Sequence, residues 1–327
     1  MTLAENVPGS ARVGIPWHSA LCCPRCGGSL GNGDELRCDG CEARYPIDNG
    51  IPRFVPRDNY AEGFGFQWNR HRLTQLDSYT GMPISRDRLM TGSRWSVDEL
   101  RGRSVLECGS GAGRFTEVLC ETGATVTSFD ISSAVHANAA SNGRFPNLRL
   151  VQASIYDLPF PEESFDFLLC FGVIQHTPDV ERTFKTIMRY LRPGGRFCVD
   201  VYAAIVAYPH PRQLLRPFTR RMSPAKLYPL VERAVPRLLP LSMALSAAPG
   251  VGPYLARLVP VANHGHLGLR NGETLRNWSV LDTFDWLSPR YEKPQSRRSV
   301  ERWTRDLALR EVSIERRRGM YVIRGVK

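Results

Sequence analysis

The chain has 327 residues, 42% of them hydrophobic and 23% charged, with a formal net charge of +11. Those proportions suit a folded globular protein and exclude a disordered or collagen-like one. The charge is uneven: residues 1–203 hold 21 Lys and Arg against 23 Asp and Glu, while residues 204–327 hold 22 against 9. A basic C-terminal part of this kind suits nucleic acid, anionic lipid or a phosphorylated ligand.

In chain order, Met1 to Trp17 has Arg12 as its only basic residue and no apolar h-region, so no secretory signal is read there and a cytoplasmic protein is expected. Cys108, Cys120, Cys170 and Cys198 stand singly in apolar settings, as reduced core cysteines do. Cys23-Pro24-Arg25-Cys26 and Cys38-Asp39-Gly40-Cys41 form two C-x-x-C knuckles, each able to offer two thiolates from one tight turn. Cys23, Cys26, Cys38 and Cys41 therefore read as a tetrahedral zinc site. Cys22 competes for the first position, but the Pro and Gly around Cys23 and Cys26 favour Cys23. Paired redox motifs are the rival, and no βαβ pattern surrounds the cysteines to support them. So small a unit buries little core, and zinc binding of about 10–16 kcal/mol would supply most of its folding free energy. Four protein ligands leave no open position, so the metal is expected to be structural. With Tyr45 to Pro52, this segment resembles the small zinc-ribbon activators of tRNA and protein methyltransferases, here fused in cis as residues 1–56.

Residues 57–100 read as a bridge. Its notable stretch, Phe64-Gly65-Phe66-Gln67-Trp68-Asn69, packs aromatics around glycine. Phe66 and Gln67 are candidates for closing over a cofactor, with a plain docking helix as the alternative.

The α/β core is assigned to residues 101–203. Val105-Leu106-Glu107-Cys108 runs into Gly109-Ser110-Gly111-Ala112-Gly113, and Phe115, Val118 and Leu119 follow at helical spacing. This pattern predicts buried strand, tight turn and helix, a cradle for a bound molecule. A dinucleotide fingerprint needs glycine at 114, where this chain has arginine. The acid-x-G-x-G-x-G form instead resembles motif I of class I S-adenosylmethionine (SAM) methyltransferases. The resemblance implies that Glu107, Gly109, Gly111 and Gly113 meet the methionine end of that cofactor.

Thr125 to Asp130 reads as the second strand, ending where an open sheet offers a carboxylate to ribose hydroxyls. Asp130, with Ile131 beside it, takes that role; capping the helix near Ser132 or Ser133 is the alternative. Leu148–Gln152, Ser164–Phe171 and Gly195–Val201 are further strands alternating with helices, which indicates a parallel sheet.

Asp157 to Pro161, Phe165-Asp166 and Leu191 to Gly195 extend the likeness to type-11 methyltransferases over residues 100–203. That family commonly has Asp where this chain has Ser154, and its carboxylate accepts from the adenine amino group. Ser154 accepts more weakly, though its backbone and that of Ile155 can also hold the ring. The segment from Phe171 to Asp179 faces sulfonium and substrate in the family. Phe171 is thus expected at the cofactor, and His176 is either a general base or structural.

Residues 204–297 read as a substrate cap. Between Arg212 and Arg257 it has eight basic residues and one acid, Glu232, and its repeated prolines predict several short helices. Leu238 to Ala256 carries no charge, yet Pro240, Pro249, Gly250, Gly252 and Pro253 argue against a spanning helix. An ordinary apolar lid and an amphipathic, lipid-contacting patch through 212–257 both remain open. His264 and His266 join His176 as base candidates, with no third metal ligand evident near the H-x-H. Residues 298–327 are expected to form a helix from about Ser299 and a hairpin of Val312–Arg317 with Tyr321–Val326, where the family places its final antiparallel strands.

The expected fold is therefore α/β: a Rossmann-like class I methyltransferase sheet, mostly parallel with the last strand antiparallel, plus a zinc ribbon and a helical cap. The resemblance implies SAM-dependent transfer to a hydroxyl, amine or carbon of a small or carrier-linked metabolite, with structural zinc. One alternative is an RNA (tRNA or rRNA) methyltransferase, suggested by the ribbon and the basic cap. It is not favoured, because an N-P-P-Y-like tetrad is missing and aromatics are not interleaved with the basic residues. The other is a non-catalytic SAM-binding partner or scaffold, suggested by Ser154.

Overall fold

The computed structural model describes residues 20–31, 33–204, 210–269 and 272–327. Met1–Trp17 and Pro209 lie outside the described residues. Near the N-terminus, β1 (Leu30–Gly31), β2 (Glu35–Cys38), β3 (Arg44–Asp48) and β4 (Ile51–Pro52) pair antiparallel in sequence order. Leu21, Leu30 and Leu36 are buried in one cluster with Ile155, Leu158 and Phe160 of the core. Arg53 pairs in parallel with Gln152, the Phe54 N–H donates to the Gln152 carbonyl, and the Cys22 N–H donates to that of Pro159. The ribbon thus leans on an edge of the main sheet, where open backbone groups would otherwise face water.

Four bridging helices follow: α1 (Glu62–Arg70), α2 (Asp77–Thr80), α3 (Ile84–Ser93) and α4 (Val97–Leu100). α4 starts in a capping box, Ser96 and Glu99 each accepting from the other's backbone N–H.

The core runs β5 (Ser104–Cys108), α5 (Arg114–Glu121), β6 (Thr125–Asp130), α6 (Ala134–Asn142), β7 (Leu148–Gln152), β8 (Phe165–Cys170), α7 (Val180–Tyr190) and β9 (Leu191–Tyr202). The cap contributes α8 (Pro211–Thr219), α9 (Pro224–Ser246), α10 (Gly252–Ala256) and α11 (Gly272–Leu287); α12 (Arg297–Asp306), β10 (Arg310–Arg317) and β11 (Met320–Val326) close the chain. The seven-stranded sheet has the order β10-β11-β9-β8-β5-β6-β7. β9 through β7 are mutually parallel, and β11 is antiparallel to both β9 and β10. This is the expected Rossmann-like arrangement. Val105, Leu106, Leu168, Leu169 and Val199 are fully buried, as both-face coverage of a parallel sheet requires.

The cap differs from expectation in one respect. α9 is a single helix of 23 residues with Pro229, Pro236 and Pro240 inside it. All three prolines are exposed, at i, i+7 and i+11, while Leu227, Val231, Val235 and Leu239 make the buried stripe. Each proline removes one N–H···O=C bond on the outward face, where water can satisfy the freed carbonyl, so the helix continues. The uncharged run Leu238 to Ala256 is divided between α9, a turn and α10. Among the described residues no helix is long and apolar enough to cross a membrane.

Candidate functional site

Strand order reverses direction about β5, with β8 on one side and β6 on the other, which leaves a crevice at the strands' carboxyl ends. A cavity of about 740 Å³ lies there, roofed by α1 and the cap.

Its inner wall is mostly backbone and short side chains: Gly109 to Ala112 after β5, Phe129 to Ile131 at the end of β6, and Ala153 and Ile155 after β7. Gly109 (φ +70°) and Gly113 (φ +88°) are left-handed, and a Cβ at Gly113 would stand 2.1 Å from Asn138 Oδ1. Only glycine fits that turn. Asp130 is buried and lines the cavity; its carboxylate accepts from the Gly111 N–H (3.0 Å), the Ser132 N–H (2.8 Å) and the Ser132 hydroxyl (2.7 Å). It therefore ties the two strand ends together and also faces the cavity. Burial raises its pKa, opposed by those hydrogen bonds.

Glu107 is placed differently. It does not line the cavity but lies beneath the glycine turn, accepting from the Thr116 and Ser128 hydroxyls. Full burial pushes its pKa up to about 7 despite these donors. Ser154 also turns away: its hydroxyl accepts from the Tyr156 N–H at 3.2 Å, capping its own turn, and only its neighbours Ala153 and Ile155 reach the cavity. Phe171 lines the cavity, edge-on to Phe115 with ring centroids 5.4 Å apart.

The helical register of α1 moves the expected contacts by one face. Phe66 packs into the cap against Tyr228 and Phe284. Gln67 is fully buried and donates to Asp285 Oδ1 at 3.0 Å. Phe64 and Trp68, four residues apart, are the ones that line the cavity, and the Trp68 ring packs against the Gly111 turn.

The outer wall carries the ionisable groups. His176 is buried, with Nδ1 3.0 Å from the Tyr291 carbonyl; that contact assigns the proton to Nδ1 and leaves Nε2 as the acceptor. Its ring meets Phe64 and Tyr202 edge-on. His264 also lines the cavity, with Nε2 2.7 Å from Asp282 Oδ2. His266 is exposed and lies outside the lining; burial by its neighbours and the nearby His264 lower its pKa.

Several lining residues carry no assignment in the sequence reading. Asp282 and Asp285 lie three apart on α11, and Gln75 donates to Asp282 at 3.1 Å. Burial raises the pKa of Asp285. Two acids at helical spacing among buried Val280, Leu281, Phe284 and Leu287 are a signal that the sequence carries. Arg114, just after Gly113, is half-buried against Phe115 and Trp278 and donates to Ser85 Oγ (3.1 Å) and Gln75 Oε1 (2.7 Å), both neutral. Burial, with Arg88 nearby, pushes its pKa down to about 9. A half-buried guanidinium with neutral partners suits an anionic group.

In the ribbon, the Sγ atoms of Cys23, Cys26, Cys38 and Cys41 all lie within 4.8 Å of one another. Cys23–Cys41 and Cys26–Cys38 are 3.7 and 3.4 Å apart, near the roughly 3.8 Å edge of a tetrahedron with zinc–sulfur bonds of about 2.3 Å. Cys22 falls outside this cluster and joins a β-bridge to Ser29. The Tyr45 hydroxyl lies 3.1 Å from Cys23 Sγ.

Residues 106–199 match the family model described as a methyltransferase domain. The chain is 33% identical over 161 residues to demethylmenaquinone methyltransferase of Tropheryma whipplei (strain Twist), covering 48% of this chain and 59% of that protein. It is 32% identical over 107 residues to ubiquinone biosynthesis O-methyltransferase of Pseudomonas fluorescens (strain Pf0-1), covering 31% of this chain and 46% of that one. It thus spans about half the length of these curated relatives. Among solved structures, it is similar to 1,6-didemethyltoxoflavin-N1-methyltransferase of Burkholderia thailandensis, with 16% identity, 88% and 97% of the two chains covered, and a TM-score of 0.41. The α/β core is thus similar to methyltransferase domains over residues 106–199.

Proposed function

We propose that this protein transfers the methyl group of SAM to a hydroxyl, amine or carbon of a small or carrier-linked metabolite, and that its four cysteines hold a structural zinc ion. The observation that carries the reading is the division of one cavity into a glycine-and-backbone wall and a wall of paired acids and histidines. The inner wall suits such a cofactor: Asp130 would hold the ribose hydroxyls, Ile131, Ala153 and Ile155 would hold the adenine, and Arg114 would offer a cation to the methionine carboxylate. When bound, the cofactor supplies an electrophilic methyl group on sulfonium.

The chain's own residues then orient the acceptor, exclude water and accept a proton. Phe64, Trp68 and Phe171 give the apolar collar. His264 takes the acceptor's proton at Nδ1, because its Nε2 faces Asp282, which stabilises the imidazolium that results; His176 Nε2 is the second acceptor in reach of the cavity. Alignment of acceptor and methyl contributes the larger share of the rate, which is consistent with the lack of a nucleophile motif. Demethylmenaquinone, in the name of one relative, and the intermediates of ubiquinone biosynthesis, in the name of another, are the first acceptors to screen.

The test is calorimetric titration of S-adenosylhomocysteine into zinc-loaded full chain, with Asp130→Asn alongside. Micromolar binding that weakens about tenfold in the variant is expected. No binding by folded wild type overturns the enzyme reading. In a turnover assay with labelled SAM and an accepted metabolite, His264→Gln should lower kcat by about a hundredfold while the titration stays unchanged. Salt-sensitive methylation of RNA instead would favour the nucleic-acid alternative, and binding without transfer to any acceptor would favour the scaffold.

A further inference from the structure

Helix α8 is amphipathic in the wrong sense for a globular protein. Its inward face carries Arg212 and Arg216, both paired with Glu292 at 3.4 and 3.1 Å, and Thr219, whose hydroxyl donates to the Leu287 carbonyl. Its outward face carries Leu214 and Phe218, 73% and 72% exposed, with Leu215 between them. A helix that only covered a core would present these stripes the other way round.

Apolar exposure extends across the cap. Ten of the eleven large hydrophobic side chains that are exposed among the described residues lie between Leu214 and Leu258, among them Val251, Leu255 and Leu258 around α10. The charge beside them is of one sign. Arg220 and Arg221 follow α8 and are exposed, as are Lys226, Arg233 and Arg237 on α9. The single acid of the region, Glu232, is paired with Arg70 at 3.7 Å. Exposed Gln213 of α8 and Arg257 after α10 also line the cavity, so this surface borders its opening.

We propose that the cap docks on the surface of an anionic lipid bilayer, with α8 and the α10 segment pressed into the headgroup region and the cavity opening towards it. An apolar outer face fringed by arginines gives both parts of such binding: burial of side chains at the acyl boundary and attraction to anionic headgroups. The protein lies on the bilayer and does not cross it. That the methyl acceptor is an amphiphile resident in the lipid rests on the methyl-transfer reading above; the docking itself does not.

The experiment is flotation of the zinc-loaded full chain with vesicles of phosphatidylcholine alone, or of phosphatidylcholine mixed with phosphatidylglycerol, at low and high salt. Wild type should float with the phosphatidylglycerol vesicles only, and less at high salt. Leu214→Asp with Phe218→Asp, both on the solvent face, should lower partitioning by about tenfold or more, and Arg220→Glu with Arg221→Glu should remove the salt dependence. S-adenosylhomocysteine titration on each variant checks folding and keeps the two proposals separable: unchanged titration with no flotation sinks docking alone, and flotation without titration sinks only the enzyme reading. The proposal is overturned if wild type stays out of the anionic vesicles, or if the Leu214/Phe218 variant floats as wild type does. It is equally overturned if wild type fails to float and instead sediments as a dimer that this variant dissociates, since a second copy would then cover the surface, or if it fails to float and retains an RNA oligonucleotide.

Discussion

The two walls of the cavity are built on opposite plans. The inner wall is made within one stretch of chain, residues 104 to 155, from backbone turns at the ends of adjacent strands. The outer wall gathers side chains from α1, β9 and the cap, so that Gln67 and Asp285, 218 residues apart, meet at 3.0 Å. The first wall is rigid because its hydrogen bonds are those of the sheet and its turns. The second holds its charges in pairs, and its geometry is only as firm as the docking of the cap.

The comparison breaks most severely if the inner wall proves to depend on the metal. Chelation should unfold residues 21–54, since zinc binding of about 10–16 kcal/mol exceeds what so small a core supplies. Because the ribbon pairs with Gln152, next to Ala153 and Ile155, cofactor-analogue affinity should fall with it. Hydrogen exchange of the ribbon amides and S-adenosylhomocysteine titration, with and without chelator, check both. Unchanged exchange would remove the structural zinc. Next in size is Gly113→Val, which puts a β-branched residue at φ +88° with its Cβ 2.1 Å from Asn138 Oδ1. Strain and overpacking together cost about 2–6 kcal/mol, visible as a lowered urea midpoint and lost titration. A near-native midpoint would mean that the turn can rearrange.

Glu107 gives a pH signature specific to the inner wall. Its folded pKa of about 7 lies above the ordinary 4.5, so between those values the folded chain holds a proton that the unfolded chain has released. Stability should therefore fall as pH rises from about 4.5 to 7, by about 3 kcal/mol in all, and level off above. Glu107→Gln keeps the carbonyl acceptor for Thr116 and Ser128 and should flatten that slope. Denaturant melts across the window measure it, and equal slopes in both proteins would show the carboxyl ionised throughout.

How far each wall could be read from sequence follows from how it is built. The glycine turn, Asp130 and the strands are legible because the turn and the carboxylate hydrogen-bonded to it lie within one strand–helix–strand unit. The strand Leu148–Gln152 was placed to the residue. The four-cysteine cluster was legible for the same reason, through knuckle spacing. In α1 the helix is legible but its inward face is not, because the register that turns Phe64 and Trp68 inward is set by packing against α6 and against α11 and α9 of the cap, far along the chain. Asp282 and Asp285 are not legible at the cavity because only the crossing of α11 brings them there. The prolines of α9 do not break it because all three face water, which composition alone does not show.

Ser154 tests the inner wall at its finest grain, with the smallest effect. By resemblance, the missing carboxylate should weaken adenine binding, and Ser154→Asp should restore it. The structure argues otherwise: the hydroxyl caps the Tyr156 N–H within its own turn, and Asp can make the same short turn with its own oxygen. S-adenosylhomocysteine affinity should then change by less than about threefold, or roughly 0.6 kcal/mol, on Ser154→Asp. Tightening of tenfold or more would mean that this side chain leaves its cap when the cofactor is bound, and that the inner wall, too, is completed by its ligand.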